Sequence, residues 1–382
     1  MNFVPYSRQT ITEEDIAAVE TALRSTHLTQ GPAVERFEAD FAGLHKVDHA
    51  IALCNATAAL HLACLALGVG PGTRVWTSPV SFVASANCAL YCGAEVDFVD
   101  IEPTTRLMSV AALEEKLVDA EREGRLPKVV IPVDLTGLPC DYAGIRKLAD
   151  KYGFAILADS SHGVGASYRG EPVGSQFVDA AVFSFHAVKI VTTGEGGLIA
   201  TNDGRLAERI RLLRSHGITR DPAAMQHASP GDYYYEQSIL GYNGRMTDIQ
   251  AALGSSQLAR LPQMHSSRAA AARRYDELIA DLDWTVPVIP TDRTSAWHLY
   301  VVERDDGDSA ARDMVFAAMR SDGIGVNLHY IPIYLQPYYA RLGFRPGHCP
   351  MAERYYARAM TIPLFPGIDH SLQERVADHL AQ

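Results

Sequence analysis

Between Ile51 and Ala158 the chain repeats one unit, a short strand-like run followed by a turn and a segment of helical periodicity. The runs are Ile51 to Cys54, Arg74 to Thr77, Glu95 to Val99, Val129 to Val133 and Ala155 to Ala158. Helices are predicted between them over Thr57 to Leu67, Phe82 to Tyr91, Val110 to Glu123 and Tyr142 to Tyr152. Parallel neighbours in a sheet need a long crossover, and a helix after every strand provides one. The pattern therefore predicts an α/β fold with a mostly parallel sheet covered on both faces. Ala180 to Phe185 and Leu198 to Thr201 read as two further strands, joined too closely for a crossover, so this pair is expected to be antiparallel.

Ala50 to Thr73 and Val75 to Ala94 contain no Asp, Glu, Lys or Arg, and by length alone each matches a membrane span. Turn and polar residues interrupt both: Asn55, Gly68, Gly70, Pro71 and Gly72 in one, Ser78, Pro79, Ser81 and Asn87 in the other. They read as strand, turn and helix inside a core. The N-terminal MNFVPYSRQTITEED has neither a basic region nor an apolar core, which predicts neither signal peptide nor anchor. Net charge is −11, so no overall basic field draws the chain to nucleic acid or anionic lipid, and an anionic small molecule needs a local site. The six cysteines are too sparse for a disulfide scaffold and none forms a CxxC pair; a reducing, cytoplasmic setting is expected, with no metal site.

The 382 residues suit a large α/β domain with a smaller partner. We place the large domain over 1–250 and the small C-terminal domain over 251–382. Thr219 to Ile239 reads as a long irregular loop, followed by helices over Thr247 to Arg260 and Ser267 to Asp281. In the small unit, strands are predicted over Trp297 to Val302 and Val326 to Tyr330, with a helix over Ala310 to Ser321.

Of the few lysines, Lys189 stands apart as the sole charged residue between Ala180 and Gly194. A buried lysine is desolvated, its pKa falls, and its neutral amine becomes a nucleophile suited to Schiff-base chemistry. Asp159 ends an apolar strand, where open α/β sheets place ligand-binding groups, and a carboxylate there pairs with a protonated ring nitrogen. The alternative for Asp159 is a helix cap. Asn55-Ala56-Thr57-Ala58 starts a helix whose free N–H groups suit a phosphate, although capping alone explains the turn equally. Phe82 either stacks on a ring or belongs to the core.

In order, these features are a phosphate turn, an aromatic, a strand-end Asp, then Ser184 and Lys189 within Ser184-Phe185-His186-Ala187-Val188-Lys189. Nearly end to end, the chain resembles the DegT/DnrJ/EryC1/StrS nucleotide-sugar aminotransferases of the fold-type I pyridoxal-phosphate enzymes. The subgroup it resembles most acts in pseudaminic acid biosynthesis. That resemblance rests on Leu28-Thr29-Gln30-Gly31, Ser81-Phe82-Val83-Ala84, Asp159-Ser160-Ser161-His162, Thr192 to Gly197 and His329 to Tyr334. Ser-Ser-His replaces the Ala-Ala or Ala-Gln of many relatives, and Ile190 departs from the proline usual after the lysine.

The resemblance implies a PLP-dependent transferase fold with a smaller C-terminal α/β domain. It implies pyridoxal 5'-phosphate as cofactor, with L-glutamate and a UDP-linked 4-keto-6-deoxy sugar as substrates; GDP or dTDP sugars are the alternative. Lys189 would be catalytic and carry the cofactor, Asp159 would hold its ring nitrogen, Phe82 would stack on the ring and His162 would lie near its oxygen. Thr57, Ala58 and Ser184 would bind phosphate, and Asn243 would reach the phosphate of a neighbouring subunit in a homodimer with shared sites. Tyr6, Thr26, His27, Leu28, Thr29, His329 and Tyr330 would hold the sugar nucleotide. A non-transaminating sensor and a PLP-dependent sugar dehydratase are further readings; Lys189 argues against both, since such dehydratases carry His in its place.

Overall fold

The computed structural model describes residues 3–307 and 309–382. Seven strands form the main sheet: β1 (His49–Leu53), β2 (Arg74–Thr77), β3 (Glu95–Phe98), β4 (Val129–Ile131), β5 (Ala155–Asp159), β6 (Ala180–Ser184) and β7 (Gly197–Thr201). Their order is β1-β7-β6-β5-β4-β2-β3. Strands β3, β2, β4, β5 and β6 are parallel, whereas β7 runs antiparallel to both β6 and β1. The predicted antiparallel pair is therefore present, and β7 is the reversed strand of an otherwise parallel sheet.

Side-chain alternation along these strands separates two cores. Ile51, Leu53, Val75, Val129, Ile131, Leu157 and Val182 pack against the helices Ala56–Ala66, Ala84–Tyr91 and Gly204–Arg214. Ala50, Ala52, Trp76, Val130, Ile156, Ala158 and Phe183 pack on the other face, with Phe37, Phe41, Leu113, Leu117 and Ile145. Period-two alternation of apolar residues on both faces is what burial beneath two helical layers requires. Val110–Glu123 and Tyr142–Tyr152 begin and end where predicted. Ser109 and Asp141 accept the first free amides, and Gly124 and Gly153 close the helices in the left-handed region.

A third core lies between a three-stranded antiparallel sheet (Trp284–Thr285, Tyr300–Arg304, Ala359–Ile362) and the helices Leu261–Ile279, Ser309–Ser321 and His370–Leu380. Core membership changes within Leu261–Ile279: Leu261 and Met264 join the core of the main sheet, Ala271 to Ile279 the third. That helix starts earlier than Ser267 because Pro262 sits in its first turn, where its missing N–H costs nothing. The strand expected over Val326 to Tyr330 is not formed; Asn327 alone bridges to Thr361. The segment's alternating apolar residues pack separately: Val326 joins the third core, while Tyr330 turns toward the cavity described below. In the Thr219 to Ile239 loop, a two-residue ladder pairs Ile218–Thr219 with Glu236–Gln237. Among the described residues no helix is long and apolar enough to cross a membrane.

Candidate active site

The carboxyl ends of β1, β5 and β6 and the start of β7 open onto a cavity of about 540 Å³. It is lined by Asn55 and Thr57 at one end, by Asp159, His162, Ser184 and Lys189 along the strand ends, and by Tyr6, Phe82, His329 and Tyr330. A crevice beyond the strand ends is where open α/β sheets bind ligands.

Lys189 follows β6 on a short turn in which its N–H donates to the His186 carbonyl at 2.9 Å. Among the described residues its ammonium has no hydrogen-bond partner. Burial pushes it down to about 8, and the charge of Asp159 acts in the opposite sense. Asp159, 5% exposed, ends β5. Its Oδ1 accepts the Ser161 hydroxyl at 2.6 Å and the Ser161 N–H at 3.1 Å, while Oδ2 accepts the Ser85 hydroxyl at 2.6 Å.

The phosphate turn is built by close approach. A Cβ on Gly197 would lie 2.5 Å from the Ala56 nitrogen, so only glycine lets β7 pass beneath the helix start. Asn55 accepts the Ala58 N–H at 2.8 Å. That amide is thus a cap in this structure, and Ala58 does not line the cavity, which differs from its expected place among the phosphate donors. Thr57 and Ser184 do line it. The Phe82 ring, 59% exposed despite its size, stands over the cavity with Tyr330 at 6.5 Å between ring centroids.

Three buried histidines share the cavity wall. The Thr136 N–H donates to His162 Nδ1 at 3.2 Å, and His162 Nε2 lies 3.4 Å from the Tyr330 hydroxyl. His329 pairs through Nδ1 with the Thr361 hydroxyl at 2.8 Å; its carbonyl accepts from Tyr355 and its ring meets Tyr6 edge-on. His298, which the sequence reading missed, packs its ring 4.4 Å from that of His162, and its Nδ1 has no partner among the described residues. Arg268, fully buried, donates to the carbonyls of Trp297, His298 and Leu364 and so fixes that segment. Burial first, and then neighbouring positive charge, pushes all three histidines down, His329 to about 3, so each is neutral near pH 7. A lone His beside Trp297 carries no periodic signal that would have singled it out.

The remaining predicted residues lie elsewhere. Thr26, His27, Leu28, Thr29 and Asn243 are exposed and do not line this chain's cavity. Tyr334 and Tyr339 are buried, while Tyr338 is exposed.

An unpartnered lysine amine, a buried carboxylate held only by neutral donors, a glycine-lined helix start and an exposed aromatic ring fit a phosphorylated, cationic aromatic aldehyde. The chain is matched over residues 9–381 by the model of the DegT/DnrJ/EryC1/StrS aminotransferase family. It is 37% identical over 371 residues to the spore coat polysaccharide biosynthesis protein SpsC of Bacillus subtilis, covering 96% of this chain and 93% of that one. The structure matches Helicobacter pylori PseC, an aminotransferase involved in the biosynthesis of pseudoaminic acid, with a TM-score of 0.91 at 31% identity, covering 100% of this chain and 98% of the other. It also matches the putative sugar aminotransferase Spr1654 of Streptococcus pneumoniae in its PMP-form, with a TM-score of 0.91 at 29% identity, covering 99% and 98%.

Proposed function

The chain belongs to the DegT/DnrJ/EryC1/StrS aminotransferase family and is a PLP-dependent sugar aminotransferase; from that premise we propose its substrate and the roles of its residues. The amino group passes from L-glutamate to C4 of a UDP-linked 4-keto-6-deoxy-N-acetylhexosamine. The product is UDP-4-amino-4,6-dideoxy-N-acetyl-β-L-altrosamine for pseudaminic acid synthesis. The observation that supports this substrate is the end-to-end likeness to PseC.

Bound pyridoxal phosphate supplies an aldehyde that takes up the amine and a ring that draws off electrons. Lys189 would hold that aldehyde and would serve as the base that moves a proton, a task for an amine that desolvation brings to about 8. Asp159 would keep the ring nitrogen protonated, Phe82 would cover the ring face, and neutral His162 would lie near the ring oxygen. Thr57 and Ser184 bind the phosphate at the helix start, with the Ala58 N–H released from Asn55 as the alternative donor. Tyr6, His329 and Tyr330 receive the sugar on the open side of the cavity.

Asn243 and the loop Thr26, His27, Leu28 and Thr29 lack a place in this chain's cavity; they act on the site of a second copy, which makes a homodimer the working unit. Two domains, with the division expected at 250/251, and a cytoplasmic setting complete the proposal. The separate third core supports a second domain and the six unpaired cysteines the setting, although residue 250 falls inside the helix Asp248–Ala259, whose Ala251 and Leu258 join the main-sheet core.

The likeness to SpsC, a spore coat polysaccharide biosynthesis protein at higher identity than PseC, favours a second reading with a different sugar substrate, for which GDP- or dTDP-linked 4-keto-6-deoxy sugars are the alternatives. Supplying the enzyme with glutamate and UDP-, GDP- and dTDP-linked 4-keto-6-deoxy sugars decides between them. Fastest turnover on the UDP N-acetylhexosamine is expected, and faster turnover on a GDP or dTDP sugar contradicts the pseudaminic assignment.

A further inference from the structure

The carboxylate of Asp159 is buried, yet no cation hydrogen-bonds to it among the described residues. Its support comes from two serines on different elements. Ser161 holds Oδ1 through both its hydroxyl, at 2.6 Å, and its N–H, at 3.1 Å. Ser85, in the helix Ala84–Tyr91, holds Oδ2 at 2.6 Å. Ser85 is fully buried and its oxygen lies 2.6 Å from that of Ser81, which is 4% exposed and lines the cavity beside Phe82. The three side chains form a continuous line, Ser81 to Ser85 to Asp159.

A hydroxyl has one proton. With the Ser85 proton given to Asp159, the short contact to Ser81 requires that Ser81 donate to Ser85, so the line has one direction. Chains of hydrogen bonds polarise one another, which strengthens the Ser85 bond to the charged oxygen. Neutral donors fix the orientation of the carboxylate without cancelling its charge. A lysine or arginine in the same place would neutralise it and compete with a protonated ring nitrogen.

We propose that Ser85, backed by Ser81, is a positioning residue that aims the Asp159 carboxylate at the ring nitrogen of the cofactor and keeps its negative charge available there. The inference rests on the assignment of Asp159 to that nitrogen. It also ties the ring-covering segment to the acid, because Ser81 and Ser85 flank Phe82 in sequence.

The test uses Ser85→Ala, Ser81→Ala, Ser85→Thr and Asp159→Asn in the full-length enzyme, each with and without pyridoxal phosphate. Removing a hydrogen bond to a charged group is expected to lower kcat/KM roughly 10- to 100-fold in Ser85→Ala, with a smaller loss in Ser81→Ala. Two readouts do not depend on turnover. The rise in melting temperature on adding pyridoxal phosphate, measured against each variant's own apoprotein, shrinks in Ser85→Ala. The visible absorbance of the bound cofactor, titrated with pH, shows the ring nitrogen losing its proton at lower pH. Ser85→Thr, which keeps the hydroxyl, restores both. Loss in Asp159→Asn with no spectral or cofactor-affinity change in Ser85→Ala overturns the role of Ser85 and leaves the Asp159 assignment standing. An unchanged Asp159→Asn overturns the assignment itself. If Ser85→Ala fails to fold, Ser81→Ala carries the same spectral test, and its failure to shift the titration overturns the proposal.

Discussion

The floor and the rim of the cavity are built on different principles. On the floor, Asp159, Ser184 and the Gly197 crossing sit at the ends of fully buried strands, and the side chains around Asp159 are fixed by bonds of 2.6 Å. The proposed rim lies outside this chain's own cavity: Thr26 to Thr29 and Asn243 are exposed, and a two-residue ladder closes the loop between Thr219 and Ile239. On the proposed dimer, one chain supplies the floor and a second completes the rim. Chemistry common to a family belongs on rigid strand ends, while substrate choice belongs on loops.

Breaking the floor should have the largest consequences. Lys189→Ala is expected to lower turnover at least roughly a thousandfold and to abolish the visible absorbance of cofactor held by the lysine, read directly on the purified variant. Asp159→Asn keeps the shape and removes the charge, and a loss of roughly a hundred- to a thousandfold in kcat is expected in steady-state assays. Gly197→Ala tests the close approach under the phosphate turn. Its Cβ meets Asn55 and Ala56 backbone, and destabilisation of about 1–3 kcal/mol is expected in denaturant unfolding, with weaker cofactor retention.

A smaller, graded effect separates the regions by pH. His162, His298 and His329 on the cavity wall, and His45 beneath Val173, are neutral in the fold, His45 held at about 4 and His329 at about 3 by burial. Each binds its proton more weakly folded than unfolded, so stability is full above about pH 6.5 and is lost as pH falls through 6.5, toward about 4 for His45 and about 3 for His329. The limiting slope is about 1.4 kcal/mol per pH unit for each histidine. His298→Gln should flatten the melting-temperature profile over that window, whereas Asn243→Ala at the rim should leave its slope unchanged.

The same division governs what could be read from sequence. Strands of the main sheet are short apolar runs that end at turn chemistry, so Arg74–Thr77 was legible to the residue, and the capping residues made the helices Val110–Glu123 and Tyr142–Tyr152 equally so. Lys189 and Asp159 were legible because a charge is rare in an apolar run. Val326 to Tyr330 misled because its alternation serves two destinations, the third core and the cavity, and neither requires a ladder. His298 was illegible since nothing local distinguishes a histidine that packs on another ring from one filling a core. The capture of the Ala58 amide by Asn55 was equally hidden, because capping and phosphate binding use the same residues.

The central claim, that one chain supplies the floor and a second completes the rim, is tested most directly by mixing Lys189→Ala with Asn243→Ala under conditions of verified subunit exchange. Each homodimer is impaired alone. In a hybrid dimer one site carries both defects and the other carries neither, and random 1:1 exchange makes about half of the dimers hybrids. Activity should recover to roughly a quarter of the wild-type value. No recovery above the separate variants would contradict the account and return Asn243 to its own chain's site, or to none.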